Sequence, residues 1–195
     1  MSATVLYMSM SLDGFITGPS DDRGNGLGVD GHRLHDWLAD GTDPGSHRPS
    51  GASGEVFDEL MATGAVVVGR RKFEIAGGWS GDHHDGVPIF VLTRRPPDGG
   101  APDWPLVTYV TDVATAMAGA KDAAGDRDVL VHGARTAQLA LAAGVLDELE
   151  IHQIPVLLGQ GRRLFDHLGP DHIELELARI VDAPGVTHLR YRVRR

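Results

Sequence analysis

Residues 128–158 read DVLVHGARTAQLALAAGVLDELEIHQIPVLL, and the succession of patterns inside this stretch decides the fold. A short β-branched run, Val129–Val131, ends at His132 and Gly133. A helical pattern, RTAQLALAA, follows and stops at Gly144. A second apolar run then opens at Leu149. Strand, helix and strand in that order form a crossover unit, which places its two strands parallel in one sheet.

The same alternation extends upstream. TVLYMSM (4–10), AVVVGR (65–70), PIFVLT (88–93) and PLVTYV (105–110) are further apolar or β-branched runs bounded by Gly, Pro or Asp. Between them, SGEVFDELMATG (53–64) carries apolar residues at helical spacing and stops on Gly64. DVATAMAGAKDAAG (112–125) starts on an Asp N-cap. A largely parallel sheet with helices on both faces is expected. Downstream the period changes to two: IELELARI (173–180) and VTHLRYRV (186–193), joined by DAPG, predict an antiparallel hairpin. Leu189, Tyr191 and Val193 then point inward, with Arg190, Arg192 and Arg194 outward on a solvated edge strand.

At 195 residues the chain is expected to form one domain, with a Gly- and Asp-rich loop insertion at about 17–54. Cysteine is absent, which removes disulfides and thiolate chemistry together and fits a cytoplasmic protein. A formal net charge of −9 argues against nucleic acid or an anionic membrane as partner, and no apolar run is long enough for a membrane span. Several catalytic signatures are missing: G-x-S-x-G, the P-loop and H-E-x-x-H do not occur. His32 and His35 fall on one helix face and His83 adjoins His84, yet no third clustered ligand completes a metal site.

GLGVDG (26–31) is a literal dinucleotide fingerprint, but the loop-like GPSDDRGN precedes it where a strand is required. In a chain with 26 glycines a chance match is easy, so the segment is assigned to a mobile substrate-side lid formed by residues 17–54. A better phosphate site lies at the strand ends. Gly69, Thr93, Thr111 and Gly133 end or follow four of the runs, and Arg70, Arg71, Arg94 and Arg135 add four cations to the rim of an acidic protein. In an open α/β sheet these ends share one crevice, where glycine admits close backbone approach and a helix N-terminus offers free N–H groups. The pattern suits a ligand with a pyrophosphate and a third phosphate on a ribose.

MSLDGFITGP, VVVGRRKFE…GGW, VLTRRPP and HGARTAQLALAAGVLDELEIHQIPVLLGQGRRLFD, in that order, resemble the dihydrofolate-reductase-like superfamily. More narrowly, they resemble stand-alone relatives of the C-terminal reductase domain of the riboflavin-biosynthesis deaminase–reductase. The resemblance implies a three-layer α/β/α fold, a mixed and mostly parallel sheet, NADPH as cofactor and a homodimer that uses the C-terminal strands. It places Gly69, Arg70 and Arg71 around the cofactor, Thr93 and Arg94 at the adenosine 2′-phosphate, and Thr111 near the adenosine. Gly133, Ala134, Arg135 and Thr136 would hold the pyrophosphate. Leu12, Asp13 and Gly14, with Leu158, Gly159 and Gly161, would border the nicotinamide. His132 replaces the first of two glycines common in the family, and the deaminase half has no counterpart here.

The reading is therefore an NADPH-dependent reductase of a small heterocyclic (pterin-, pyrimidine- or flavin-related) or carbonyl substrate. A flavin- or deazaflavin-dependent reductase and a non-catalytic nucleotide-binding protein are the alternatives. Asp13, at the end of the first strand, is the catalytic candidate, with a simple Asp-Gly turn as its bland explanation. Glu55, near the helix start, is the one acid of its helix placed to face a pocket, but it reads first as a favourable first-turn acid, and Asp58 and Glu59 are assigned to solvent. The long loop carrying Gly31, His32, His35 and Trp37 is expected to close over the substrate, with His32 and Trp37 as substrate contacts.

Overall fold

The computed structural model describes residues 2–39, 48–95 and 104–194. Ten strands form: β1 (Thr4–Ser11), β2 (Phe15–Thr17), β3 (Ala65–Gly69), β4 (Ile89–Leu92), β5 (Val107–Val110), β6 (Val129–His132), β7 (Glu148–Ile154), β8 (Arg162–Arg163), β9 (Leu175–Ala183) and β10 (Val186–Val193). The helices are α1 (Gly51–Met61), α2 (Arg70–Ile75), α3 (Val113–Ala124) and α4 (Ala134–Ala142), with 3-10 turns at Gly31–Leu38 and Gly77–Gly81. The main sheet runs β5-β4-β3-β6-β1-β7-β10-β9, and β2 pairs with β8 separately. From β5 to β7 every neighbouring pair is parallel, whereas β10 is antiparallel to both β7 and β9.

The valine-rich strands are buried on both faces, which is why they read as continuous apolar runs instead of alternating ones. Leu6, Val67, Val129 and Val131 pack under the alanine-rich faces of α3 and α4, through Ala116, Ala120, Ala137 and Ala140. On the opposite face Val5, Tyr7, Val66, Val68 and Leu130 meet Phe73 of α2, Leu60 of α1 and Trp79. Asp112 caps α3 by accepting the Thr115 N–H at 2.8 Å, as its position requires. β7 stops at Ile154 because Pro155 cannot donate to the ladder, so the apolar residues Val156 to Leu158 leave the sheet.

Two expectations are corrected. The hairpin forms, with Leu189, Tyr191 and Val193 packed toward the core, but its edge is β9, and β10 lies inside. Arg190 consequently turns into a carboxylate cluster: it bonds Glu148 at 2.6 Å and Glu59 at 3.2 Å, and its side chain is 18% exposed, whereas Arg192 and Arg194 are 60% and 64% exposed. Glu59 also takes a bidentate bond from Arg179 of β9, tying α1 across the sheet. Residues 26–31 are not held loosely either. Gly18 N–H bonds Leu27 O at 2.8 Å and Val29 N–H bonds Pro19 O at 2.9 Å. A Cβ on Gly28, whose φ is 71°, would lie 2.4 Å from Gly18 O. These glycines serve close backbone packing rather than mobility.

Candidate active site

A cleft of about 1890 Å³ opens where β1, β3, β4, β5 and β6 end. Right-handed parallel topology brings these carboxyl ends together, so residues far apart in sequence become one wall. Gly69, Thr93, Arg94 and Thr111 line it, as do the α4 start residues Gly133, Ala134, Arg135 and Thr136. Gly133, at φ 92° and ψ 142°, turns the chain from β6 into α4. The first α4 N–H groups have no acceptor within the helix and face the ligand position. Thr136 Oγ1 is buried without a partner, as are Thr17 Oγ1 and Gln138 Oε1, all on residues of the cleft wall. These unmatched polar atoms and the open helix start fit a phosphate-bearing dinucleotide.

The cations divide into two groups. Arg70 bonds Glu74 at 2.6 Å and Arg95 O at 3.0 Å, and Arg71 pairs with Asp21 at 3.1 Å. Asp21 also bonds Arg162; burial pushes its carboxyl up, but the two guanidiniums outweigh that and hold it below the usual range. Arg94, Arg135 and Lys72 make no ion pair among the described residues and line the same cleft. Lys72 was not singled out from sequence, although it continues the Gly-Arg-Arg run into α2.

At the β1 end the expected nicotinamide border divides. Gly161 lines the cleft, where a Cβ would lie 1.9 Å from Thr17 O, while Leu12 is 66% exposed. Leu12, Asp13, Gly14, Leu158 and Gly159 are outside the cleft wall. The Asp13 carboxylate is fully engaged: it accepts Ser11 Oγ–H at 2.6 Å, Leu158 N–H at 3.1 Å and Gly159 N–H at 2.8 Å. The serine bond, followed by the Gly159 and Leu158 amides, outweighs desolvation and lowers its pKa to about 2. Asp13 is thus a loop clasp and stays ionised, which does not suit a proton donor.

The substrate-side expectations are corrected as well. His32 is exposed and outside the cleft, and Trp37 is buried, donating Nε1–H to Ser9 Oγ at 2.9 Å against His152 and His188. His35 of the same loop does line the cleft, open to it but crowded by protein on its other sides. That crowding, then Lys72 and His32, holds its imidazole down to about 4. Glu55 is exposed, Asp58 pairs with Arg48 and Glu59 with Arg179, so no α1 acid reaches the cleft. Tertiary pairing engages Asp58 and Glu59, and no local signal marks the partners.

His132, the residue in place of a family glycine, stands at the end of β6 on the α2 face. Trp79 stacks near it at 6.3 Å and His83 lies 5.4 Å away, centroid to centroid. His83 Nδ1 meets His84 Nδ1 at 2.7 Å, and His84 Nε2 meets Thr63 O at 3.2 Å. The carbonyl can only accept, so in neutral rings His84 donates from Nε2 and His83 donates from Nδ1, leaving His83 Nε2 a bare acceptor. Among the described residues no group of three His, Asp or Glu side chains is arranged to hold a metal.

Sheet order, cleft and helix start define a dihydrofolate-reductase-like α/β protein. The chain shares 22% identity and a TM-score of 0.72 with a protein assigned to riboflavin biosynthesis from Shewanella sp. PV-4, covering 99% of both chains. It matches Acinetobacter baumannii RibD at 17% identity and TM-score 0.66, spanning all of this chain and 59% of that one. Enterococcus faecalis dihydrofolate reductase, solved with NADP(H), gives 17% identity and TM-score 0.58 over 98% of this chain and 96% of that one. No curated protein sequence matches. Residues 3–189 match the RibD C-terminal domain, and the chain belongs to that family. Its relatives support a reductase-type function. No helix among the described residues is long and apolar enough to cross a membrane.

Proposed function

We propose that this protein is an NADPH-dependent reductase of a small heterocyclic or carbonyl substrate. The observation that carries the reading is the α4 start: Gly133, free N–H groups, the unpartnered Thr136 hydroxyl and Arg135 converge on one cleft. When bound, NADPH supplies the hydride. The α4 N–H groups and Arg135 would hold the pyrophosphate, since both favour negative charge. Arg94, two strands away on β4, would take the ribose 2′-phosphate and favour NADPH over NADH. Residues Gly26, Leu27 and His35 wall the opposite side and limit water access at the reacting end.

Fluorescence titration with NADPH and NADH tests this. The wild type should prefer NADPH by about tenfold or more, equivalent to ~1.4 kcal/mol. Gly133→Val should weaken NADPH by about a hundredfold, because a β-branched residue at φ 92° is strained and fills the phosphate approach. Equal NADPH and NADH affinities in the wild type contradict the Arg94 assignment. Failure to bind either dinucleotide contradicts the reductase reading.

A further inference from the structure

Of the cations lining the cleft, Arg70 is paired with Glu74, Arg71 and Arg162 with Asp21, and Arg163 with Asp166. Lys72 reaches no carboxylate and no hydrogen-bond acceptor among the described residues, although it lies in the body of the protein on α2. Its setting is cationic or neutral. Burial lowers its ammonium pKa, and its charge bears on His35 from the 3-10 turn, His83 from the following loop and His132 from β6. The acids near these imidazoles are spoken for or remote from the ammonium: Asp36 pairs with Arg33 at 3.2 Å, and Asp82 accepts the Gly86 N–H.

Sheet order serves as a ruler for where this charge falls. Along the strand ends β5-β4-β3-β6-β1, Thr111 and Arg94 mark the adenosine side and Gly133 the pyrophosphate. The next strand is β1, so the nicotinamide end of a dinucleotide would lie beyond β6, toward Met8 and His35. The Lys72 Cβ is 3.7 Å from the place a Gly133 Cβ would occupy, and its ammonium influences His35 in the turn packed on β1. Lys72 therefore bridges the step from pyrophosphate to nicotinamide.

We propose that Lys72 sets the balance between the two oxidation states of the cofactor: its unneutralised ammonium disfavours the positively charged oxidised ring and spares the neutral reduced ring. The inference rests on the reductase reading. Like charges in a partly desolvated cleft repel more than in water, and the three imidazoles, kept neutral, add nothing to the repulsion. The consequence is a cleft that takes up NADPH and releases NADP⁺, at the expense of some hydride-donating power in the bound cofactor.

The test is the ratio of dissociation constants for NADP⁺ and NADPH in the wild type, Lys72→Met, Lys72→Gln and Lys72→Arg, with folding checked by circular dichroism. The wild type should bind NADPH about tenfold tighter, and Lys72→Met and Lys72→Gln should bring the two within about threefold, mainly by tightening NADP⁺. Lys72→Arg should keep the wild-type ratio. An unchanged ratio in both neutral variants overturns the proposal, as does equal weakening of both forms, which would make Lys72 a phosphate ligand. A wild type that binds both forms equally well also overturns it. Where neither form binds the wild type, this proposal and the reductase reading fall together; where both bind with an insensitive ratio, this one alone falls.

Discussion

Asp13 shows how a single carboxylate can look catalytic and serve architecture. It ends β1 and precedes a glycine, as a site acid would, yet its oxygens are bound by Ser11 and by two amides of the 158–159 turn. The folded-state pKa, near 2, lies below the ordinary value of 3.8, so the unfolded chain binds the proton more readily. The clasp therefore contributes stability above pH ~4, and that contribution fades as pH falls toward 2. Asp13→Asn keeps the shape but loses the charge-assisted bonds. Its melting temperature should fall below wild type at pH 7, and the gap should close between pH 4 and 2; a gap constant across that range would contradict the assignment. NADPH affinity should change little, since Asp13 lies outside the cleft wall.

Among the elements, the two glycine segments exchange the roles that motif matching gives them. The fingerprint-like 26–31 segment packs its backbone against Gly18 and Pro19, and the start of α4, which does not match the fingerprint, is the proposed phosphate site. Gly28→Ala should thus cost stability, on the order of 1–3 kcal/mol from strain at φ 71° and the clash with Gly18 O, measured by urea denaturation. A change under ~0.5 kcal/mol would show the packing to be looser than described. The edge strand β9 presents Leu175, Leu177 and Ile180 at 41%, 49% and 57% exposure, beside an unpaired edge. Such a surface calls for cover, and a second copy is the commonest one, so a homodimer through this hairpin is the expected state. Light scattering should give twice the chain mass, and Leu177→Lys with Ile180→Lys should halve it; a monomeric wild type at micromolar concentration would exclude the arrangement.

For the whole molecule the histidines govern the response to pH. His152 and His188 pack against Trp37, one tilted and one edge-on, and share a 2.9 Å Nδ1 contact, with Ser53 Oγ 3.0 Å from His188 Nε2. Burial depresses His188 and His83 to about 4, and His132 and His152 well below their ordinary value. Each binds its proton more weakly in the folded state, so the unfolded chain takes up more protons between pH 6.5 and 4. Stability is complete above about pH 6.5 and falls on acidification, by about 1.4 kcal/mol per pH unit for each proton difference. Denaturant unfolding followed from pH 8 to 5 should show that decline, and a flat profile would contradict the buried-neutral state of the cluster. Glu150 acts in the opposite sense, because burial raises its pKa against the pull of Arg179 and Arg190.

The sequence by itself determined the strands and helices of the sheet, their parallel order of connection and the glycine-marked crevice. These rest on local rules: runs of Val, Ile and Leu need burial on both faces, helices start and stop on caps, and strand ends gather on one side. Gly69, Thr93, Arg94, Thr111 and Gly133 to Thr136 do line one cleft for that reason. Only the tertiary structure decided which polar side chains are free to act. Arg190 and Glu59 looked solvent-facing by period, but β10 is an inner strand, and both are drawn into one cluster with Arg179. Trp37 is consumed by Ser9 and two histidines, Asp13 by a turn 145 residues away in sequence, and Lys72 meets no partner among the described residues. Charge pairing depends on neighbours brought by the fold from anywhere in the chain, and no periodicity records them.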